Sequence, residues 1–216
     1  LDAVIEFIKW IFRIIFNADM SQQPMMPPEP GPSPLPSVPG PVLPPVVAHP
    51  VTPPIRSITM MTLADIETHF GKFAYQDKAD GFIEIAQDWM AANLTVGTFP
   101  LIGKARVHIK LFDAYQAIWA KIAKQCPEAI EIEDTKKIGG CFVPRHMLFK
   151  KEKPLSRHSW GMAWDMNPTT NGYGVNPKLD GRVVKIWEDA GFVWGGRWNT
   201  KDGMHVETSL ELARSL

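Results

Sequence analysis

The sequence has only two cysteines, no excess of either charge, and no apolar run long enough to cross a bilayer. Each shortage excludes something. Cys126 and Cys141 cannot form a Cys-x-x-Cys zinc pair, and their spacing alone does not decide whether they are bridged. A cysteine nucleophile would need a histidine beside it in space, and the stronger ligand pattern lies elsewhere in the chain. The 23 basic and 23 acidic residues leave no electrostatic footprint for a nucleic-acid partner.

Residues 1–16 come nearest to a membrane span. At about 1.5 Å per residue they reach roughly 24 Å, short of a hydrocarbon core of about 30 Å. Asp2, Glu6, Lys9 and Arg13 also form a charged stripe along one helical face, with isoleucine, phenylalanine and Trp10 around the rest. We therefore expect an amphipathic helix over 1–20 that docks on a membrane surface, on a partner or on copies of itself. The segment lacks the basic start and small-residue cleavage site of a secretory signal. Leu1 at its head suggests a processed product or a fragment.

Proline is scarce except in one place. Between Pro24 and Pro54 lie 14 of the 20 prolines, with no apolar periodicity, so 21–56 reads as a semi-rigid linker. His49 within it should be solvated. The folded domain is expected over 57–216.

Within that domain, Thr62 and Asp65 suggest a capping box opening a helix that ends before Gly71. Helical spacing predicts a core helix over 82–94 that buries Trp89. A second is predicted over 111–125, with Leu111, Tyr115, Ile118, Trp119 and Ile122 inward. Gly139 to Arg145 has strand composition, as do Gly161 to Met166 and the aromatic stretch from Phe192, which leads to a tight turn at Gly195–Gly196. A helix is expected over 182–190, closed by Gly191. His69, His108 and His146 fit no ligand spacing and are assigned structural or solvated roles, while Trp194 and Trp198 are assigned to packing.

The chemistry concentrates between Pro154 and Glu207. His158 and Asp165 are seven positions apart, and His205 follows about forty later, preceded at three residues by Asp202. Two histidines and one carboxylate suit a catalytic zinc, which keeps its fourth position open. Asp202 is placed to act as general base, and Arg145 can bind a carbonyl oxygen as charge grows on it.

The runs Ser156–Pro168, Gly191–Trp198 and Asp202–Glu207 resemble the zinc peptidoglycan peptidases. That family includes D-alanyl-D-alanine carboxypeptidases, vancomycin-resistance dipeptidases and endolysins that cut L-alanyl-D-glutamate bonds. The resemblance is sharp over 139–207, loose over 57–138 and absent before. It implies an α+β fold with a small antiparallel sheet flanked by helices, zinc held by His158, Asp165 and His205, Asp202 as base, Arg145 polarising the substrate carbonyl, and Ser156 contacting substrate. The implied substrate is the peptidoglycan stem peptide, met on the cell-wall side of the membrane or during lysis. Trp164 stands where a smaller aliphatic residue is usual, which bears on pocket shape. The expected activity is an L-alanyl-D-glutamate endopeptidase. The alternatives are a D-alanyl-D-alanine carboxypeptidase, a non-catalytic wall-binding module with a structural zinc, and an interaction protein working through its N-terminal helix.

Overall fold

The computed structural model describes residues 59–136 and 140–216. The helix expected at 1–20 and the linker at 21–56 lie outside them. The described chain is α+β, with three small antiparallel sheets and helices around them.

The first helix, α1 (Leu63–Phe70), starts as its sequence directs. Thr62 Oγ1 accepts the Asp65 N–H at 3.2 Å, while the Asp65 carboxylate accepts the Thr62 N–H at 2.8 Å. Ile66 and Phe70 are buried, whereas Leu63 stays exposed.

The expected single helix over 82–94 is instead a strand followed by a shorter helix. β1 (Tyr75–Asp77) pairs with β2 (Ile83–Ile85), and α2 (Gln87–Asn93) comes only afterwards. The alternation Ile83, Glu84, Ile85 buries both isoleucines and exposes the glutamate, so period two wins locally over period 3.6. Trp89 is buried as expected. A hairpin not foreseen from the sequence follows, with β3 (Leu94–Phe99) against β4 (Gly103–His108).

His108 closes that hairpin in the core. Its Nε2–H donates to Phe70 O at 3.2 Å, and its Nδ1 accepts the Lys110 N–H at 3.2 Å. A neutral ring satisfies both bonds; a second proton on Nδ1 would oppose the Lys110 N–H. Burial first, then the Lys110 charge, pull the imidazole down to about 4 from the ordinary 6.5, against the Phe70 hydrogen bond. The unfolded chain therefore takes up a proton that the folded chain refuses. Stability contributed by His108 is complete above pH 6.5 and lost as pH falls towards 4, a loss of about 2–3 kcal/mol. Urea midpoints at pH 7 and pH 4 should differ less in His108→Gln than in the wild type; equal differences would contradict this.

The long helix α3 (Phe112–Gln125) buries Tyr115, Ile118, Trp119 and Ile122, as its spacing predicts. Two short helices, α4 (Ile132–Lys136) and α5 (Pro168–Asn171), were not foreseen. They are joined by Asp134, whose carboxylate accepts the Thr169 N–H at 2.9 Å.

The sheet that organises the domain has the order β5 (Ala163–Asp165), β7 (His205–Thr208), β6 (Phe192–Trp194). Opposed residues share a face. Asp165 pairs with His205, while Ala163 and Val193 flank Glu207. Trp164 and Trp194 flank Val206 on the opposite face. There Trp164 meets Tyr115 and Trp119 at 5.7 and 5.2 Å between ring centres, and Trp119 meets Trp187 of α6 (Gly181–Asp189) at 5.8 Å. Edge-to-face aromatic pairs of this kind add packing energy beyond their buried area. Trp164 thus fills the core rather than shaping a pocket, because strand parity turns it away from Asp165. The last helix, α7 (Leu210–Ser215), is capped by Ser209, whose hydroxyl accepts the Leu212 N–H at 3.1 Å.

No regular strand forms over the described part of Gly139–Arg145. Arg145 makes a single bridge to Phe82, and His146 one to Leu155. Among the described residues, no helix is long and apolar enough to cross a membrane.

Candidate metal centre

His158 sits on a tight helical turn, Arg157–Trp160, whose N-cap is Ser156; the Ser156 hydroxyl accepts the His158 N–H at 3.4 Å. The turn is closed by Gly161 at φ +65, where a Cβ would lie 2.8 Å from His108 N, so only glycine fits. His158 Nδ1–H donates to Cys141 O at 3.0 Å, which fixes the tautomer and leaves the Nε2 lone pair free. Among the described residues that buried nitrogen has no hydrogen-bond partner, although Asp165 Oδ2 lies 3.1 Å away.

Asp165 lies between the two histidines. Its Oδ1 is 2.9 Å from His205 Nδ1. Burial alone would raise this carboxyl, but His158 and His205 outweigh it and hold it well below the usual carboxylate range. On the far side of the His205 ring, Nε2–H donates to Glu207 Oε2 at 3.1 Å. Burial works against a charge on His205, yet hydrogen bonds to Asp165 and Glu207 win and raise it to about 10. A cation seated among the three would displace the Nδ1 proton, since imidazole ligates only when neutral.

One donor atom from each of His158, Asp165 and His205 falls within 4.8 Å of the others, and all three residues are buried. Two imidazoles and a carboxylate, with an orphaned buried nitrogen among them, fit a zinc ion. These are the three residues expected from the sequence.

The other expected residues lie around this cluster. Arg145 Nη2 is 4.0 Å from Asp165 Oδ2, and burial pulls its guanidinium down from the ordinary range while Asp165 and Asp202 oppose that. Asp202 lies on the turn just before β7, where its N–H donates to Gly195 O at 3.1 Å and its carbonyl accepts the His205 N–H at 3.2 Å. Its Oδ1 is buried without a hydrogen-bond partner among the described residues. Burial first, with Asp165 and Glu207 adding to it, pushes this carboxyl up to about 6 against the pull of His205 and Arg145. Ser156 is buried, with its hydroxyl turned to the His158 turn that it caps.

Sequence reasoning missed Glu207 and Arg157. Arg157 Nε is 3.7 Å from Glu207 Oε1, and its Nη2 donates to Met61 O at 2.7 Å. A chain of largely buried contacts therefore runs from Met61 through the half-buried Arg157 and then Glu207 to His205. Such outer partners fix the orientation of a ligating ring. The signal was present, because residues 205 and 207 of one strand share a face.

Both cysteines are free thiols. The Cys141 thiol donates to Gly161 O at 3.0 Å, and burial pushes it far above its usual range, which excludes a thiolate nucleophile there. His146 has a structural place, with Nε2 2.9 Å from Asp77 Oδ1 and Nδ1 2.7 Å from Lys153 O. Cavities of about 360 Å³ along α6 and about 550 Å³ beside α4 do not touch the cluster. Donor chemistry, not cavity size, marks the site.

Residues 150–208 match the family model described as D-alanyl-D-alanine carboxypeptidase. The match spans His158, Asp165, Asp202 and His205 and leaves Arg145 outside. It supports the zinc peptidoglycan peptidase family read from the sequence, and with it a hydrolase acting on peptidoglycan. No curated protein and no solved structure matches the chain.

Proposed function

We propose that the protein is a zinc peptidase that hydrolyses a peptide bond in the stems of bacterial peptidoglycan. The observation that carries this reading is the buried His158–Asp165–His205 cluster, with the Arg145 guanidinium 4.0 Å from Asp165 and the Asp202 carboxyl within its electrostatic reach. Zinc, when bound, supplies a Lewis acid and lowers the pKa of its water to about 7. Asp202 would take the proton of the attacking water and return it to the leaving amine. A carboxyl raised by burial is matched to that exchange near neutral pH. Arg145 would bind the carbonyl oxygen as negative charge develops on it. Ser156 is assigned to substrate contact by resemblance alone.

A wall-binding module with a structural zinc is the weaker reading, because such a site needs neither the Asp202 carboxylate nor a half-buried arginine beside it. Residues 1–16 are proposed to tether the enzyme to a membrane surface or to other copies, with 21–56 as the spacer. That reading rests on their amphipathic and proline-rich sequence.

The aromatic segment Gly191–Trp198 favours the endolysin-like branch, and Trp194 Nε1–H donates to Gly203 O at 2.8 Å, joining that segment to the Asp202 turn. An L-alanyl-D-glutamate endopeptidase is therefore preferred over a D-alanyl-D-alanine carboxypeptidase. Mass spectrometry of muropeptides after digestion by the full chain tests this. New L-alanine carboxyl ends are expected. Release of free D-alanine alone would reverse the order, and binding without any cleavage would favour the wall-binding module.

A further inference from the structure

Two adjacent bulky residues close to Arg145 adopt a backbone conformation that side chains avoid. Leu148 has φ +54 and Phe149 φ +56. The Lys150 N–H donates to Met147 O at 3.2 Å, closing a four-residue turn with both central positions left-handed. Glycine, asparagine and aspartate normally fill such positions. An observed outlier of this kind licenses a question about function, though strain by itself answers nothing.

The answer comes from where the turn puts the Phe149 ring. Arg145 Cζ lies 4.6 Å from its centre, well within cation–π range. Behind it, Phe82 meets Phe149 edge-on at 5.1 Å. Gly81, at φ +71, lets the Phe149 backbone come so close that a Cβ would lie 2.2 Å from its carbonyl carbon. The hairpin end at Gly81–Phe82 thus braces the turn, and the His146 N–H donating to Gly81 O at 2.8 Å ties the two segments together.

Among the described residues, the remaining restraints on the Arg145 side chain are long. Its Nη1 donates to His146 O at 3.4 Å, and its Nη2 is 4.0 Å from Asp165 Oδ2. A planar guanidinium held only by these could swing about its long side chain, and a donor aimed at a developing oxyanion loses its value if it must reorganise.

We infer that Phe149 is a positioning residue, which fixes the plane of the Arg145 guanidinium, and that the left-handed pair Leu148–Phe149 is kept because it delivers the ring to that place. This rests on Arg145 acting on the substrate carbonyl, as proposed above.

The test is steady-state kinetics on peptidoglycan with the zinc-loaded full chain. Phe149→Leu should lower kcat about 10-fold with KM and zinc content unchanged, a loss within the range of a desolvated cation–π contact. Phe149→Tyr, which keeps the ring, should recover kcat to within about threefold. If the leucine variant fails to fold, pentafluorophenylalanine at position 149 keeps the shape and weakens the π face, and the same fall in kcat is expected. In an Arg145→Ala background, Phe149→Leu should change kcat no further, because the two act as one unit. Wild-type kcat in Phe149→Leu or in the fluorinated protein, or an undiminished effect without Arg145, would overturn the inference. Should Arg145→Ala itself leave kcat unchanged, the role of Arg145 fails instead.

Discussion

Asp202→Ala is expected to hold a full equivalent of zinc and to cleave peptidoglycan stems about 10²- to 10⁴-fold more slowly, the usual cost of losing a general base. Two observations separate this residue from the proposed metal ligands. It lies outside the cluster of donor atoms, and its Oδ1 is buried with no hydrogen-bond partner among the described residues. A buried acceptor left open in this way is costly unless something occupies it in the working enzyme, and an attacking water would. Burial also raises the carboxyl to about 6, so it can both take and release a proton near neutral pH. Because its backbone is held by Gly195 O and His205 N–H, truncating the side chain should leave the turn in place. Unchanged turnover with zinc retained would remove Asp202 from the mechanism.

His158→Ala and His205→Ala should instead lose the metal, and turnover with it, since two protein ligands rarely hold zinc firmly. Each ring is fixed from behind, His158 by Cys141 O and His205 by Glu207. The two variants should differ in stability. Removing His205 strips the buried Asp165 and Glu207 of a shared partner, whereas removing His158 leaves His205 between them. His205→Ala should therefore be the less stable of the two, with a buried unpaired charge costing about 3–5 kcal/mol. Elemental analysis and thermal melts read both effects. Stoichiometric zinc in either variant would mean that the ligands are wrongly assigned.

The candidate cluster of His158, Asp165 and His205 could be drawn from the sequence because its residue types are chemically unambiguous, and the fold brings their donor atoms together. His158 on a turn and Asp165 on the strand after it were placed by Gly161 and by the parity of Ala163 and Asp165. Helix α3 was equally plain, since its apolar face runs unbroken over 14 residues. Several shorter elements were not. Ile85, Trp89 and Met90 satisfy a helical period, but the first belongs to β2, where pairing with β1 overrides local pattern. The hairpin β3–β4 carries Gly97, Pro100 and Gly103, and its punctuation was not recognised. Nothing in sequence spacing announces that β7 lies between β5 and β6, and that order is what puts Glu207 behind His205 and turns Trp164 into the core. The setting of Arg145 was hidden for a similar reason, because it depends on a left-handed turn at residues with no propensity for one.

Zinc titration of the metal-depleted full chain, followed by stem cleavage, tests the central claim most directly. Cleavage should be absent at the start, rise in proportion to added zinc and level off at one equivalent per chain, with the Asp202→Ala protein binding the same equivalent and showing almost none of the turnover. Full cleavage in excess chelator, or one bound zinc with no stem bond broken, would contradict it.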